Sequence, residues 1–273
     1  MHRKKLEELN LIDDFLFNKM VSHPDFGEEF SRELLNVIFA KRFGKLKVVP
    51  QKIYYGSDTN KHGARLDVYL EEETGQDESK GEATIFDVEP ESVNKDEDLE
   101  TLARRIRFYH SKIDAGSMKS GMDYRTLKDV IVIMIMTVDP LKADRMVYTI
   151  ENKCKELPDL PYDDGAKTIF LYTRGIEGNP PKELQDFLAY MEDSCEENAK
   201  NDTLKRIHKM VNIVKQDEEV SLEYMKIYEK EQWLIEQGRK ETQEKMQELL
   251  SEKEAEIAKK DAEIARLKKQ LSM

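Results

Sequence analysis

The seven residues from 130 to 136, VIVIMIM, are all apolar. A strand with one face in water alternates polar and apolar side chains, whereas a continuous apolar run is typical of a strand covered on both faces. We therefore expect this run to be the central strand of a sheet with helices packed on each side. That expectation restricts the chain to an α/β or α+β fold.

Other segments supply partners for this strand. Period-two alternation predicts three earlier strands and two later ones, and the first three precede a single long helix. The resulting core has the order αβββαβ and a mixed sheet flanked by helices. The predicted strands cover 46–55, 64–70, 83–89, 145–150 and 168–173, with a hairpin loop over 71–82; the predicted helices cover 25–44, ending at Gly44, and 96–116, after a shorter first helix.

The chain is helical in pattern from Pro180 to its end. KEAEIAK at 253–259 is followed by KDAEIAR at 260–266, and apolar residues recur every seventh position in this region. We predict three parts: an α/β domain over 1–180, a helical extension over 181–230 and a coiled-coil tail over 231–273. The tail would join the chain into a homodimer or higher oligomer, and a single frayed helix is the alternative. The seam residues are Leu250, Ile257, Ile264 and Leu271, with Lys253 and Lys260 weakening it.

Composition limits the partners. The chain has a net charge of −12, and 37% of its 273 residues are charged. A phosphate backbone repels such a protein unless a local basic patch overcomes the field. Two cysteines are too few for a disulfide framework, and no apolar stretch approaches the roughly 18 residues of a membrane span. We expect a cytoplasmic protein with no membrane partner, and the scattered histidines do not favour a zinc hydrolase.

Three acidic residues lie in or beside predicted strands. Asp67 occurs in RLDVYL, and Glu89 and Glu91 occur in FDVEPE on the next strand. A hairpin would bring these carboxylates together at one edge of the sheet, where they would offer the hard oxygen ligands that Mg²⁺ or Mn²⁺ prefers. Because the chain has 56 acidic residues, the pattern is weak by itself, and its strand context is what favours a metal site.

The helix predicted over 96–116 carries a basic surface opposite its apolar stripe. Phe108 lies within this surface. Two interpretations remain open: a solvated helix face, or a face that contacts backbone phosphates of a nucleic acid. The basic residues are Arg104, Arg105, Arg107 and Lys112.

The order of these elements resembles the PD-(D/E)XK nuclease superfamily, and more narrowly the Rpn-type, recombination-promoting nuclease or transposase-associated family. The resemblance rests on RLDVYL, FDVEPE, the arginine-rich RRIRFYHSKID and VIVIMIMTVDP, together with LIDDFLFNKM near the start and IFLYTRG at 169–175. It covers roughly residues 10 to 230. It implies a restriction-endonuclease-like core.

The resemblance also implies roles for individual residues. Asp67 and Glu89 match the metal ligands, and Glu33 matches a helical acid that some members add. Glu91 falls where the superfamily places lysine, so the catalytic set here would be Asp67, Glu89 and Glu91. The implied activity is Mg²⁺-dependent hydrolysis of DNA, linked to recombination or mobile elements. The alternative is a catalytically degraded nuclease fold that acts as a DNA-binding or oligomeric interaction module.

Overall fold

A computed structural model of the chain describes residues 4–54, 64–72, 83–91, 98–118 and 120–271. These residues form two compact units, one ending at Val220 and the other beginning at Ser221. Most of the predicted hairpin loop, 73–82, lies outside the described residues.

The first unit is built on a six-stranded mixed sheet, as the apolar run at 130–136 predicts. The strands are β1 (Leu46–Tyr54), β2 (Ala64–Glu72), β3 (Thr84–Glu91), β4 (Asp129–Met136), β5 (Val147–Glu151) and β6 (Ala166–Tyr172). Their order in the sheet is β1-β2-β3-β4-β6-β5. Strands β1 to β3 are antiparallel, β3, β4 and β6 are parallel, and β5 is antiparallel to β6. The strand β4 is thus central, and the predicted fold class is confirmed.

Helices cover both faces of this sheet. One face carries α3 (Leu99–Ser117), whose buried Leu102, Ile106 and Ile113 share a core with Val130 and Val132 of β4. The opposite face carries α1 (Asp14–Ser22) and α2 (Gly27–Phe39). Because the residues of β4 after Asp129 alternate their side chains between these two cores, all seven of them are apolar.

Aromatic side chains pack together on the sheet face that α1 and α2 cover. Phe86 of β3 lies with its ring centroid 5.3 Å from those of Phe39 and Phe43. The helix α2 ends before the predicted Gly44: Ala40 takes a left-handed conformation with φ of 49°. The side chain of Asn36 then accepts a 2.8 Å hydrogen bond from the Phe43 amide, which stabilises the turn into β1. Ala40 therefore takes the left-handed position that was expected of Gly44.

Two further helices, α4 (Lys182–Glu192) and α5 (Asp202–Gln216), belong to the same unit. The amide of Ile12 donates to the Met191 carbonyl at 2.9 Å, and the amide of Leu11 donates to Ser194 Oγ at 2.8 Å. These bonds connect the segment before α1 to the end of α4. The predicted boundaries at 180 and 230 stay predictions.

The last helix, α6 (Glu218–Leu271), has 54 residues and supplies nearly all of the described part of the second unit. Its apolar residues Leu250, Ile257 and Ile264 are all exposed. Among the described residues, no helix is both long enough and apolar enough to cross a membrane.

Candidate active site

Strands β2 and β3 separate at the point where the predicted carboxylates lie. Their ladder ends with Val68 opposite Val88, so one further step along the register places Asp67 opposite Glu89. At that step the Asp67 amide donates a 2.8 Å hydrogen bond to Glu89 Oε1. A side-chain carboxylate thus replaces the backbone acceptor that a continuing ladder would supply. The structure therefore brings Asp67 and Glu89 together.

Asp87 is a third carboxylate in this cluster and was not predicted from the sequence. It lies two residues before Glu89 and directly opposite Tyr69 of β2, so it shares the sheet face that α3 covers. Its side chain is 0% exposed. Among the described residues, neither carboxylate oxygen has a hydrogen-bond partner. The period-two spacing to Glu89 was the signal that could have found it.

Burial and mutual repulsion favour the protonated forms of these acids. The pKa of Asp67 rises from 3.8 to about 6, chiefly through burial and then through the charge of Asp14, while Arg65 opposes the shift. Burial, followed by the neighbouring acids of the cluster, raises the pKa of Glu89. Burial also raises the pKa of Asp87, with Asp67 adding to it. A bound cation would relieve this crowding of negative charge.

The helical acid near this cluster is Asp14, the first residue of α1, whose charge acts on Asp67. Glu33 of α2 is engaged elsewhere: its Oε1 lies 2.7 Å from Arg206 of α5. Its described contacts therefore connect two helices and do not reach Asp67 or Glu89. Acids are common in the first turn of helices, where they favour the helix dipole, so Asp14 had no distinguishing mark in the sequence.

Glu91 ends β3 and forms an ion pair with Arg105 of α3, in which Oε2 lies 2.7 Å from the guanidinium. Both side chains are largely shielded, with 14% and 27% exposure. Pro90, which has no N–H to donate, lies beyond the last pair of β3 with β2. The end of β3 is therefore unpaired on the side that faces β2. Arg105 of α3 places a positive charge next to Glu91.

The other predicted basic residues lie on the outer part of α3. Arg104 is exposed and pairs with Glu100 in the same helix. The Lys112 ammonium lies 5.2 Å from the Phe108 ring centroid. Arg107 is exposed as well. Of the four basic residues predicted to contact DNA, Arg105 alone is described in contact with one of the predicted acids.

The carboxylate oxygens of this cluster are suitable ligands for a divalent cation. Their side chains do not, however, converge on one point as metal ligands do. Among the described residues, no group of three His, Cys, Asp or Glu side chains stands ready to hold a metal ion. The donors are nevertheless hard oxygens, and those of Asp87 are buried without a partner in the described part of the chain. Cation binding would require these side chains to reorient and to release protons.

Comparison with known proteins identifies a family for this architecture. Residues 11–158, more than half of the chain, match the family model described as PD-(D/E)XK nuclease family transposase. The match spans α1 through β5 and so includes every residue of the carboxylate cluster. No curated protein and no solved structure matches the chain at a significant level.

Proposed function

Because the chain belongs to the PD-(D/E)XK nuclease family transposases, we propose that it is a DNA endonuclease that uses Mg²⁺ or Mn²⁺ and serves recombination or the movement of mobile elements. The observation that carries this proposal is the cluster of Asp67, Asp87 and Glu89, which are crowded on neighbouring strands of one sheet face. Nucleases of this family generally use divalent metals, and such a cluster is costly to a fold unless a cation relieves it.

In this proposal Asp67 and Glu89 hold the cation, and Asp87 adds a third negative group behind them. A Mg²⁺ or Mn²⁺ ion held by Asp67 and Glu89 would supply a Lewis acid for a water molecule and positive charge beside the phosphate. The Glu89 carboxylate already has one oxygen oriented by the Asp67 amide at 2.8 Å. In the absence of an ion, this oxygen is therefore held by the backbone of the neighbouring strand.

Arg105 is the group we assign to the role that lysine has in the superfamily. Glu91 occupies the lysine position and cannot donate a hydrogen bond when ionised, but it holds the Arg105 guanidinium at 2.7 Å. A guanidinium at this strand end would stabilise negative charge on the phosphate that undergoes cleavage. Glu91 acts in this scheme as a positioning residue.

The outer face of α3 is the surface we propose for the DNA backbone. Arg104, Arg107 and Lys112 lie there, with Phe108 beneath Lys112. Contacts of this kind neutralise phosphates without reading bases, so binding should be salt-sensitive and largely independent of sequence.

One observation favours a second function, a nuclease fold that binds DNA without cutting it. The ion pair between Glu91 and Arg105 satisfies both charges internally. If Arg105 stays paired with Glu91 when DNA binds, no positive side chain is available to the phosphate at the position where the superfamily has lysine. The chain would then serve as a DNA-binding or oligomeric interaction module.

Plasmid nicking in Mg²⁺ or Mn²⁺ tests the first function against the second. The wild type should nick supercoiled DNA, while Asp67→Asn and Glu89→Gln should lose nicking and retain binding. The matched control is Asp186→Asn, since Asp186 is also buried but pairs with Lys182 within α4. Binding without nicking in the wild type would support the module; equal nicking by all variants would refute the site.

The tail and the compartment complete the proposal. We infer that α6 forms a homodimer or higher oligomer by coiled-coil pairing, which exposed Leu250, Ile257 and Ile264 support. Lys253 and Lys260 of the same seam bond to Glu256 within their own helix. We place the protein in the cytoplasm, because both of its cysteines are free thiols.

A further inference from the structure

Lys52, on the edge strand β1, lies over the ring of Tyr69 on β2, beside the carboxylate cluster. The Lys52 ammonium lies 3.2 Å from the Tyr69 ring centroid and 5.0 Å from that of Tyr54. Tyr69 in turn is the residue directly opposite Asp87 in the register of β2 and β3. The strand β1 that carries Lys52 is at the edge of the sheet. Lys52 is therefore one strand away from the candidate active site.

The charges around Lys52 do not cancel. Glu71 is the acid nearest to this group, and it contacts Lys128 and, at 3.7 Å, Lys47. It also accepts a 3.1 Å hydrogen bond from the Tyr69 hydroxyl. Among the described residues, Lys52 itself has no carboxylate partner and contacts only the two aromatic rings with its ammonium. Glu71 thus pairs with Lys47 and Lys128 and leaves the charge of Lys52 without a paired carboxylate in the described part of the chain.

The backbone supports this placement of Lys52. Gln51, the preceding residue, has a left-handed φ of 48°. For a residue with a Cβ this conformation is unfavourable, and it interrupts the regular alternation of side chains along β1. Strain of this kind persists where the surrounding structure requires it. Burial, followed by the charges of Lys47 and Lys128, lowers the pKa of Lys52 to about 8.

We propose that Lys52, with Lys47 and Lys128, forms an anion-binding subsite that takes a phosphate group of the DNA backbone. This inference rests on the proposed function, because it supplies a phosphate contact outside the cleavage centre. The Tyr69 ring holds the Lys52 ammonium by a cation–π contact, and a phosphate oxygen would give that ammonium its missing counter-charge. The subsite positions the backbone and takes no part in bond cleavage.

Binding of a fluorescent DNA duplex to the full chain in EDTA tests the subsite without cleavage. Lys52→Met keeps the hydrocarbon stem and removes the charge. Relative to the wild type it should weaken binding by about 5-fold to 10-fold at low salt and reduce the salt slope by about one counter-ion. The matched control is Lys200→Met, an exposed lysine before α5, which should bind as the wild type does. Equal affinity of both variants would overturn the proposal.

Amine labelling of the wild type at about pH 8, read by mass spectrometry, supplies a second measurement that needs no variant. Lys52 should be labelled faster than Lys200, and duplex DNA should protect it. Protection by inorganic phosphate but not by DNA would show that the subsite binds free phosphate. It would refute the proposal that the subsite binds the DNA backbone. No protection by either would overturn the subsite altogether. Weakened DNA binding by Lys52→Met together with no nicking by the wild type would retain the subsite and reject the nuclease.

Discussion

The Asp67 amide donates a 2.8 Å hydrogen bond to Glu89 Oε1 across two strands whose ladder has just ended. This bond joins the backbone at Asp67 of β2 to the side chain of Glu89 of β3. Asp87 is fully buried beside them. A buried cluster of carboxylates should lower the stability of the folded chain when no cation is bound.

Stability without metal should fall as the pH rises. Asp67 has its pKa raised from 3.8 to about 6 in the folded chain, so the folded state holds a proton that the unfolded state has released across that interval. Its contribution is fully present below the lower value and is lost as the pH rises through the upper one. The raised pKa values of Asp87 and Glu89 extend the loss to higher pH. Thermal melts in EDTA at about pH 5 and about pH 8 check this.

Divalent cations should reverse that loss. Adding Mg²⁺ or Mn²⁺ at the higher pH should raise the melting temperature of the wild type, because the ion binds the folded state. The increment should vanish in Asp67→Asn and persist in Asp186→Asn. An equal rise in melting temperature in both variants would show that the ion binds at another site.

Asp87→Asn should separate stability from activity. The substitution removes one buried negative charge next to Asp67 and Glu89 while keeping the shape of the side chain. We expect the metal-free variant to melt higher than the wild type above about pH 8 and to need more Mg²⁺ for nicking. Melting in EDTA and a Mg²⁺ titration of nicking measure the two effects. A variant that melts lower than the wild type would contradict the repulsion described here.

Arg105→Met should reduce nicking by about 100-fold to 1,000-fold with little change in DNA affinity, if Arg105 stabilises charge in the transition state. Arg105→Lys should recover part of the rate. The control is Arg104→Met, since Arg104 is exposed and pairs with Glu100. Single-turnover nicking rates and DNA affinities are measured separately for each variant. Equal losses of nicking rate in Arg105→Met and Arg104→Met would assign Arg105 to binding of the DNA backbone instead.

Gly116→Ala should destabilise the first unit although alanine favours helices. A Cβ at Gly116 in α3 would lie 2.3 Å from Cε1 of the Tyr54 ring, so that ring must move. Overpacking of this kind costs about 1–3 kcal/mol, more than the roughly 1 kcal/mol that alanine gains in a helix. Gly238→Ala in α6 meets nothing within 4 Å and is the control that should gain helicity. Urea unfolding followed by circular dichroism measures both, and a stabilised Gly116→Ala would show that Tyr54 moves freely.

Ile257→Asn should dissociate the oligomer that we propose for α6. Ile257 is exposed on α6 in the middle of the seven-residue repeat, and a polar residue at that position weakens a coiled-coil seam. The control is Glu252→Gln, an exposed position of the same helix outside the seam. Light scattering after gel filtration should give the wild-type mass for the control and a monomer for Ile257→Asn. A monomeric wild type would leave α6 as a single helix.

Some elements of this protein were readable from local pattern, and others were not. The apolar run at 130–136 predicted a central strand covered on both faces, and the spacing of apolar residues predicted α3. The end of α2 was placed at Gly44, but Ala40 takes the left-handed conformation at the end of this helix, and nothing in the local pattern marks an alanine for that position. Glu33 was assigned to the site by resemblance, but its described partner is Arg206, 173 residues away in the chain.

The sequence by itself determined the class of the fold and predicted that Asp67 and Glu89 lie close together, because periodicity and hairpin order are local properties. The tertiary structure alone decided that Asp14 acts on Asp67, that Asp87 is buried with no described partner, and that Arg105 meets Glu91. Each of these depends on the register of β2 with β3 and on the packing of α1 and α3 against the sheet. The electrostatic interaction of two charged groups depends on the distance between them in the folded chain, which their separation in the sequence does not give.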